Sequence, residues 1–477
     1  MRNIPVLPAE IVPQLLAVCA RLSGGSSNTL SATPDKLPPG LNNAYLFAVF
    51  NALSFQIVLN SPMVLYGKTL GASATVLGLI AGMMPLLVIF QIPAAQYINR
   101  VGYRKFVYAG WGTRVMFIFG LALVPVTGVF LNATTQLALL LMLLFGFNLS
   151  RGISSCAWLP WISQLVPAPV RGRYLARDAA CVNLSSFFTF LLAAACLGGH
   201  PQPWQFATLF AFSAVMGAAS LNFLKRIPDC APPENSETSR GLVPWGEIVR
   251  YAPFRKLLWA AGAWSVAYGG LTAFTVVFLK TETSMNESTI LAVTSVSFLG
   301  GLCSLWFLGS RLDHLGSKPV LAFSFVTWLA IIAGWGALAG GAVPVRLGMI
   351  LALQFLMGLF AALVQMSNTR LAMAVIPMMG RNHFFALYSV LTSLAMGLSP
   401  ILWGLLIDAV GGFHARGLGL DWNRYSIFFA AAGLVMLATL PLARRLEEPQ
   451  AASMEVLLKE ILVQSPQRVW LRLWPKA

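Results

Sequence analysis

Asn99-Arg100-Val101-Gly102-Tyr103-Arg104-Lys105 follows the second long apolar stretch of the chain, and Asp313-His314-Leu315-Gly316-Ser317-Lys318-Pro319 follows the eighth. Each holds a glycine in fourth place and a basic residue in sixth, and the two are 214 positions apart (99 to 313). A second pair repeats the relation. Pro167-Ala168-Pro169-Val170-Arg171-Gly172-Arg173-Tyr174 follows the fourth apolar stretch, and Pro377-Met378-Met379-Gly380-Arg381-Asn382-His383-Phe384 follows the tenth, offset by 210 (167 to 377). Two matches at nearly one offset report a tandem duplication of one unit.

Working outward, that unit is a set of six apolar stretches. Of the 477 residues 57% are hydrophobic and 10% charged, with mean hydropathy +0.73. Soluble domains carry about a quarter charged residues, so this chain lacks the charge to cover a surface facing water. A bilayer-spanning helix needs about 20 mostly apolar residues, and the chain supplies about twelve such stretches. The expectation is an all-α membrane protein of two six-helix bundles: residues 1–40 a cytoplasmic tail, 41–225 the first bundle, 226–255 a cytoplasmic linker, 256–445 the second bundle and 446–477 a second cytoplasmic tail.

The net charge of +16 does not point to nucleic acid, because the basic residues sit in short clusters between apolar runs and not on one polar face. With a cytoplasmic N-terminus, the even-numbered loops hold Arg100, Arg104, Lys105, Arg171, Arg173, Lys225, Arg226, Arg240, Arg311, Lys318 and Arg381, against Lys68, Lys280, Arg346, Arg416 and Arg424 opposite. That bias predicts a multi-pass protein of the cytoplasmic (inner) membrane, with both termini and the linker inside. The six cysteines are scattered, without paired ligand spacing. No metal site or cofactor is called for.

The loop residues carry a resemblance to the major facilitator superfamily, whose members have a signature close to G-x-x-x-D-R-x-G-R-R-K between the second and third helices and a weaker copy between the eighth and ninth. Arg100, Gly102, Arg104 and Lys105 match the first copy; Asp313, Gly316 and Lys318 match the second. Leu165-Val166-Pro167 with Arg171-Gly172-Arg173 resembles the family's loop between helices four and five. Asn99 stands in place of the family's Asp, and Gln164 where many relatives carry another. The resemblance implies two bundles rocking about a central site, a cavity lined by helices one, four, seven and ten, and signature loops acting as cytoplasmic latches, of which the one at Asp313 keeps its carboxylate.

Polar residues inside a membrane are costly, which makes them candidates for function. On the first stretch Gln56 and Asn60 share one helical face, and Asn51 points elsewhere; on the fourth Asn148, Arg151 and Ser155 share a face. The tenth offers Gln354, Gln365 and Asn368, the seventh Trp264 and Tyr268. Arg151 is the sharpest of these, because it lies too deep to reach water along the helix. Amides also bond between helices and aromatics pack, so a structural role stands beside the functional one for each. Asp178 and Asp408 are the carboxylates within apolar stretches, and both lie near an end. Proton symport therefore has less support in the residues than in the resemblance, and a coupling ion is left open. No HExxH, GxSxG or GxxxxGK[ST] motif is present. The reading is a monomeric transporter, not an enzyme, bound to membrane lipid and moving a small organic solute by alternating access. A drug or lipophile efflux carrier and a non-transporting sensor are the alternatives.

Overall fold

The computed structural model describes residues 40–166, 168–230, 250–308, 316–376, 381–417, 419–446 and 448, and side chains at these except 99, 168–173, 306–308 and 381–383. Twelve helical spans in it are long and apolar enough to cross a membrane: Asn42–Thr69, Ala74–Ala95, Tyr103–Val129, Ala133–Leu165, Tyr174–Leu197, Pro203–Leu224, Ala252–Thr281, Glu287–Leu305, Ser317–Ala339, Leu347–Val375, Phe384–Val410 and Arg424–Arg444. Most present a buried strip and an exposed apolar one. In the fourth, Leu140, Leu144, Phe147 and Asn148 are buried, whereas Met142, Phe145 and Ile153 are exposed. In lipid such an exposed strip is at no disadvantage. Asp313, Arg240 and Arg311 lie outside the described residues.

Several spans are interrupted, and two of the interruptions correspond between the halves. The first runs as Asn42–Leu59, stops at Asn60 in extended backbone (φ −126°, ψ −156°) and resumes as Ser61–Thr69. Pro62 explains the stop, since its ring crowds the preceding turn and it has no N–H to donate. The seventh runs as Ala252–Tyr268 and Leu271–Thr281, parted by Gly269 and Gly270. Asn60 and Gly270 are 210 positions apart, the offset of the second loop pair. A carbonyl freed near the second break is bonded from outside its own helix: that of Val266 accepts from Ser399 Oγ at 2.9 Å and Trp403 Nε1 at 2.8 Å. Gly269 and Gly270 let span 11 approach this closely, because a Cβ on either would meet Ser399 Oγ at 2.5 Å or Trp403 Cδ1 at 2.7 Å.

The halves meet chiefly through spans 2 and 11 and spans 5 and 8. Ala74, Gly78 and Gly82, one turn apart on one face of span 2, lie directly on the backbone of span 11. A Cβ on Gly78 or Gly82 would fall 2.1 Å from the carbonyl oxygen of Pro400 or Gly397. At the end of this seam remote from the signature loops, the far end, Asp408 caps span 2. Its carboxylate accepts from Ala74 N at 3.0 Å, Thr75 N at 2.8 Å and Thr75 Oγ1 at 2.6 Å, where the helix dipole favours an anion. Gly198 O accepting from Ser288 N at 3.3 Å adds a second tie at that end.

The signature glycines adopt matching backbone. Gly102 has φ 84°, ψ 152° and Gly316 φ 80°, ψ 162°, each immediately before a span. This region is open essentially to glycine alone, and nothing lies within 4 Å of where a Gly102 Cβ would be, so conformation and not space demands the residue there. Gly102→Ala and Gly316→Ala are each expected to cost about 1–3 kcal/mol. Gly112→Ala, in a helix with equally open surroundings, should be neutral or stabilising. Thermal melts of the three purified variants check this; equal melting temperatures for all three would refute the conformational account.

Candidate functional site

Both helix breaks open onto one cavity. It has a volume of about 210 Å³ and lies between spans 1, 5, 7, 8 and 10. Its polar wall is made by Asn60, Asn183 and Gln354 together with Tyr268, Thr272, Thr294 and Ser297; Phe190, Phe298 and Met357 supply apolar surface. No charged side chain is among the described residues that line it. Phe190 and Phe298 meet edge to face across the two halves, 5.0 Å between centroids, so the cavity lies on the seam.

The amides are positioned differently from one another. Asn60 Nδ2 donates to Gln56 Oε1, Gln56 Nε2 donates to Ser186 Oγ at 2.6 Å, and Ser186 donates on to the Val182 carbonyl at 2.6 Å. That chain fixes the Asn60 side chain from span 5 and leaves its oxygen free. Asn183 Nδ2 donates to the Ala179 carbonyl of its own helix at 2.9 Å, again leaving an oxygen. Gln354 is 3% exposed, and its amide makes no hydrogen bond among the described residues. Its amide atoms are not sealed off by protein and so reach the cavity space. The Tyr268 ring is held by stacking on Trp264 at 4.9 Å and by an edge contact to Trp328 at 5.4 Å.

Of the residues singled out from sequence, Asn60, Tyr268 and Gln354 therefore share this wall, with Gln56 and Trp264 directly behind it. Asn51 is elsewhere: its Oδ1 accepts from Arg114 Nη2 and, at 3.3 Å, from Trp111 Nε1. Asn148 is buried and donates to the Leu144 carbonyl of its own helix at 2.9 Å, and Ser155 accepts from Gln91 Nε2 of span 2 at 2.6 Å. Arg151 is half-buried and outside the cavity lining. Asn368 is buried, whereas Gln365 is exposed. The wall residues from spans 5 and 8 were not anticipated. Asn183 is an amide in the middle of an apolar stretch, a signal in plain view, but it lies off the four helices that the resemblance names.

Both signature loops are stapled by a carboxylate that follows the last span of their own half. Arg104 Nε meets Asp229 Oδ2 at 3.3 Å, an exposed pair of small energetic weight, and Trp161 Nε1 donates to the Pro228 carbonyl at 3.1 Å. In the second half Glu448 accepts from Ser317 N at 2.8 Å and Lys318 N at 2.7 Å, capping span 9 beside Gly316. Gln164 Nε2 donates to the Tyr103 hydroxyl at 3.2 Å, while Arg100 and Lys105 are exposed. The side chains of Asn99, Arg171, Arg173 and Arg381 lie outside the described residues. A second and larger opening, about 470 Å³, sits at the far end under the hairpin Ala415–Gly417 and Leu420–Trp422. Its charges are spent on each other, Arg416 with Asp421 at 2.7 Å and Glu282 with Arg424 at 2.9 Å.

Solved structures match this arrangement over most of their length. The nucleoside transporter NupG superposes with a TM-score of 0.63 at 11% identity, covering 85% of this chain and 99% of its own. A D-xylose-proton symporter gives 0.65 at 13%, covering 85% and 99%. A bacterial homolog to the human lysosomal transporter Spinster, inward-facing and unoccupied, gives 0.57 at 13%, covering 91% and 99%. Among curated proteins no sequence relative matches. The sequence profile of the Major Facilitator Superfamily matches residues 44–292 and 271–474. With twelve spans in a repeated six-helix plan and a cavity on the seam between the halves, the chain belongs to the major facilitator superfamily and is a membrane solute transporter.

Proposed function

We propose that the chain carries a small, polar solute rich in hydroxyl or amide groups, bound in the cavity between the two broken spans and released by alternating access. The observation that carries this reading is Gln354: a largely buried amide on the cavity wall that bonds no protein group among the described residues. A solute donating and accepting at that wall would supply the partner that the protein does not. Asn60, Asn183, Thr294 and Ser297 line the same space, and Tyr268 offers a ring. The volume is below the roughly 300 Å³ at which pockets begin to suit drug-sized ligands, which favours a compact solute over a lipophilic drug. Two of the solved neighbours are named for a nucleoside and for D-xylose, solutes of this hydrogen-bonding kind.

The motion follows from the seam. For the far end to open, Asp408 has to leave the start of span 2 and the glycine face has to part from span 11. We place the signature loops, the linker and both termini in the cytoplasm, on the basic bias of the loops.

Gln354→Leu is expected to keep or raise melting temperature without solute, because an unbonded amide is removed. It should weaken binding of a transported pentose, hexose or nucleoside roughly 3- to 10-fold, the value of one hydrogen bond. Uptake into proteoliposomes with that panel measures it, and an unchanged KM in a folded variant would take Gln354 out of the site. For the topology, single cysteines in a cysteine-free background are treated with a membrane-impermeant thiol reagent on intact cells. Ser284→Cys, at an exposed far-end turn, should be labelled and Ser236→Cys, in the linker, should not; the reverse pattern would invert the protein.

A further inference from the structure

Between residues 41 and 225 there are ten lysines and arginines and a single carboxylate, Asp178. Two of the cations are inside the bundle. Arg114, on span 3, is 1% exposed; its Nη2 donates to Asn51, its guanidinium lies 4.7 Å from the Trp111 ring centroid and 5.5 Å from that of Phe147, and its Nε has no hydrogen-bond partner among the described residues. Arg151, half-buried on span 4, is the second. It shares the inward face with buried Leu144, Phe147 and Asn148, opposite exposed Met142, Phe145 and Ile153. Among the described residues its guanidinium makes no hydrogen bond and no ion pair.

Asp178 does not supply the missing charge. It sits beside Arg177 and acts on the stacked rings of Tyr45 and Tyr174, and Asp229 is taken by Arg104. In the second half, Glu282, Glu287, Asp408 and Asp421 all lie at the far end. Among the described residues, the interior of the first half thus holds two guanidiniums without a counter-charge. Charges inside proteins are normally paired. Arg114 is accommodated by an amide and two aromatic faces, whereas Arg151 has nothing of the kind among the described residues.

We propose that Arg151 is the contact for an anionic group, a carboxylate or phosphate, bound in the interior of the first half, with Arg114 raising the local potential from behind. The planar guanidinium suits either group, with two parallel N–H donors. The proposal rests on the reading of the bundle interior as the solute path. The anionic group belongs either to the transported solute itself or to an inorganic anion that enters with it.

The test uses the purified full-length chain in nanodiscs of neutral lipid at constant ionic strength, melted with inorganic phosphate and with matched pairs: ribose and ribose 5-phosphate, uridine and uridine monophosphate. A ligand that binds the folded state raises its melting temperature. The charged probes should raise that of the wild type by several degrees and that of Arg151→Gln not at all, with Arg151→Lys between them. Without ligand, Arg151→Gln should melt at or above the wild type, since an uncompensated cation has been removed. A full response to inorganic phosphate assigns the site to a separate ion; a response confined to the phosphorylated solutes assigns it to the solute. Equal responses of wild type and Arg151→Gln, no response of the wild type to any anion, or an Arg151→Gln that fails to fold or melts well below wild type would overturn the proposal. The neutral members of each pair report the cavity alone. A failed cavity reading therefore shows as silence toward them, and a failed anion site as equal response to their charged partners.

Discussion

A backbone amide or carbonyl inside hydrocarbon has no water to bond, so a membrane-spanning helix can be interrupted only where neighbouring protein or a wet cavity takes over its broken hydrogen bonds. Spans 1 and 7 are interrupted at positions related by the internal repeat, Asn60 and Gly270, and both interruptions fall on the same cavity. The seventh is made possible by Ser399 and Trp403, which bond the Val266 carbonyl. At the first, Asn60 gives its own carbonyl to Met63 N and Val64 N and its side chain to Gln56. The breaks create a polar wall at a depth where an unbroken helix would present only side chains, and the cavity is where they are tolerated.

The second constraint is the closeness of spans 2 and 11. Ala74, Gly78 and Gly82 carry so little side chain that the two helices touch backbone to backbone. Without a hydrophobic drive between helices in lipid, such contact, together with hydrogen bonds like those of Asp408, is what holds halves together. Two rigid bundles joined in this way are suited to exchanging one closed end for the other.

The sequence made the twelve spans, the duplication and the signature glycines legible, because each is written in local pattern: length of apolar run, repeated offset, residue type. It also placed Asn60, Tyr268 and Gln354 among the site candidates. What it could not convey is which faces meet. Asp408 bonds residues 333 and 334 positions away, and no periodicity reports that. Gln365 shares a helical face with Gln354 yet is exposed, since eleven residues along a helix is about 16 Å, enough to carry it past the cavity wall. The break at Ser61-Pro62 is visible in the letters, but its value as a site depends on Ser186 holding Gln56, and through it Asn60, from another span.

The central claim is that the cavity between the broken spans is where solute binds, and Thr272, on its wall, is placed to report it. In a cysteine-free background, the alkylation rate of Thr272→Cys by a small thiol reagent should fall several-fold in the presence of a saturating transported solute and recover when the solute is removed. An unchanged rate, in a variant that still transports that solute, would contradict the account.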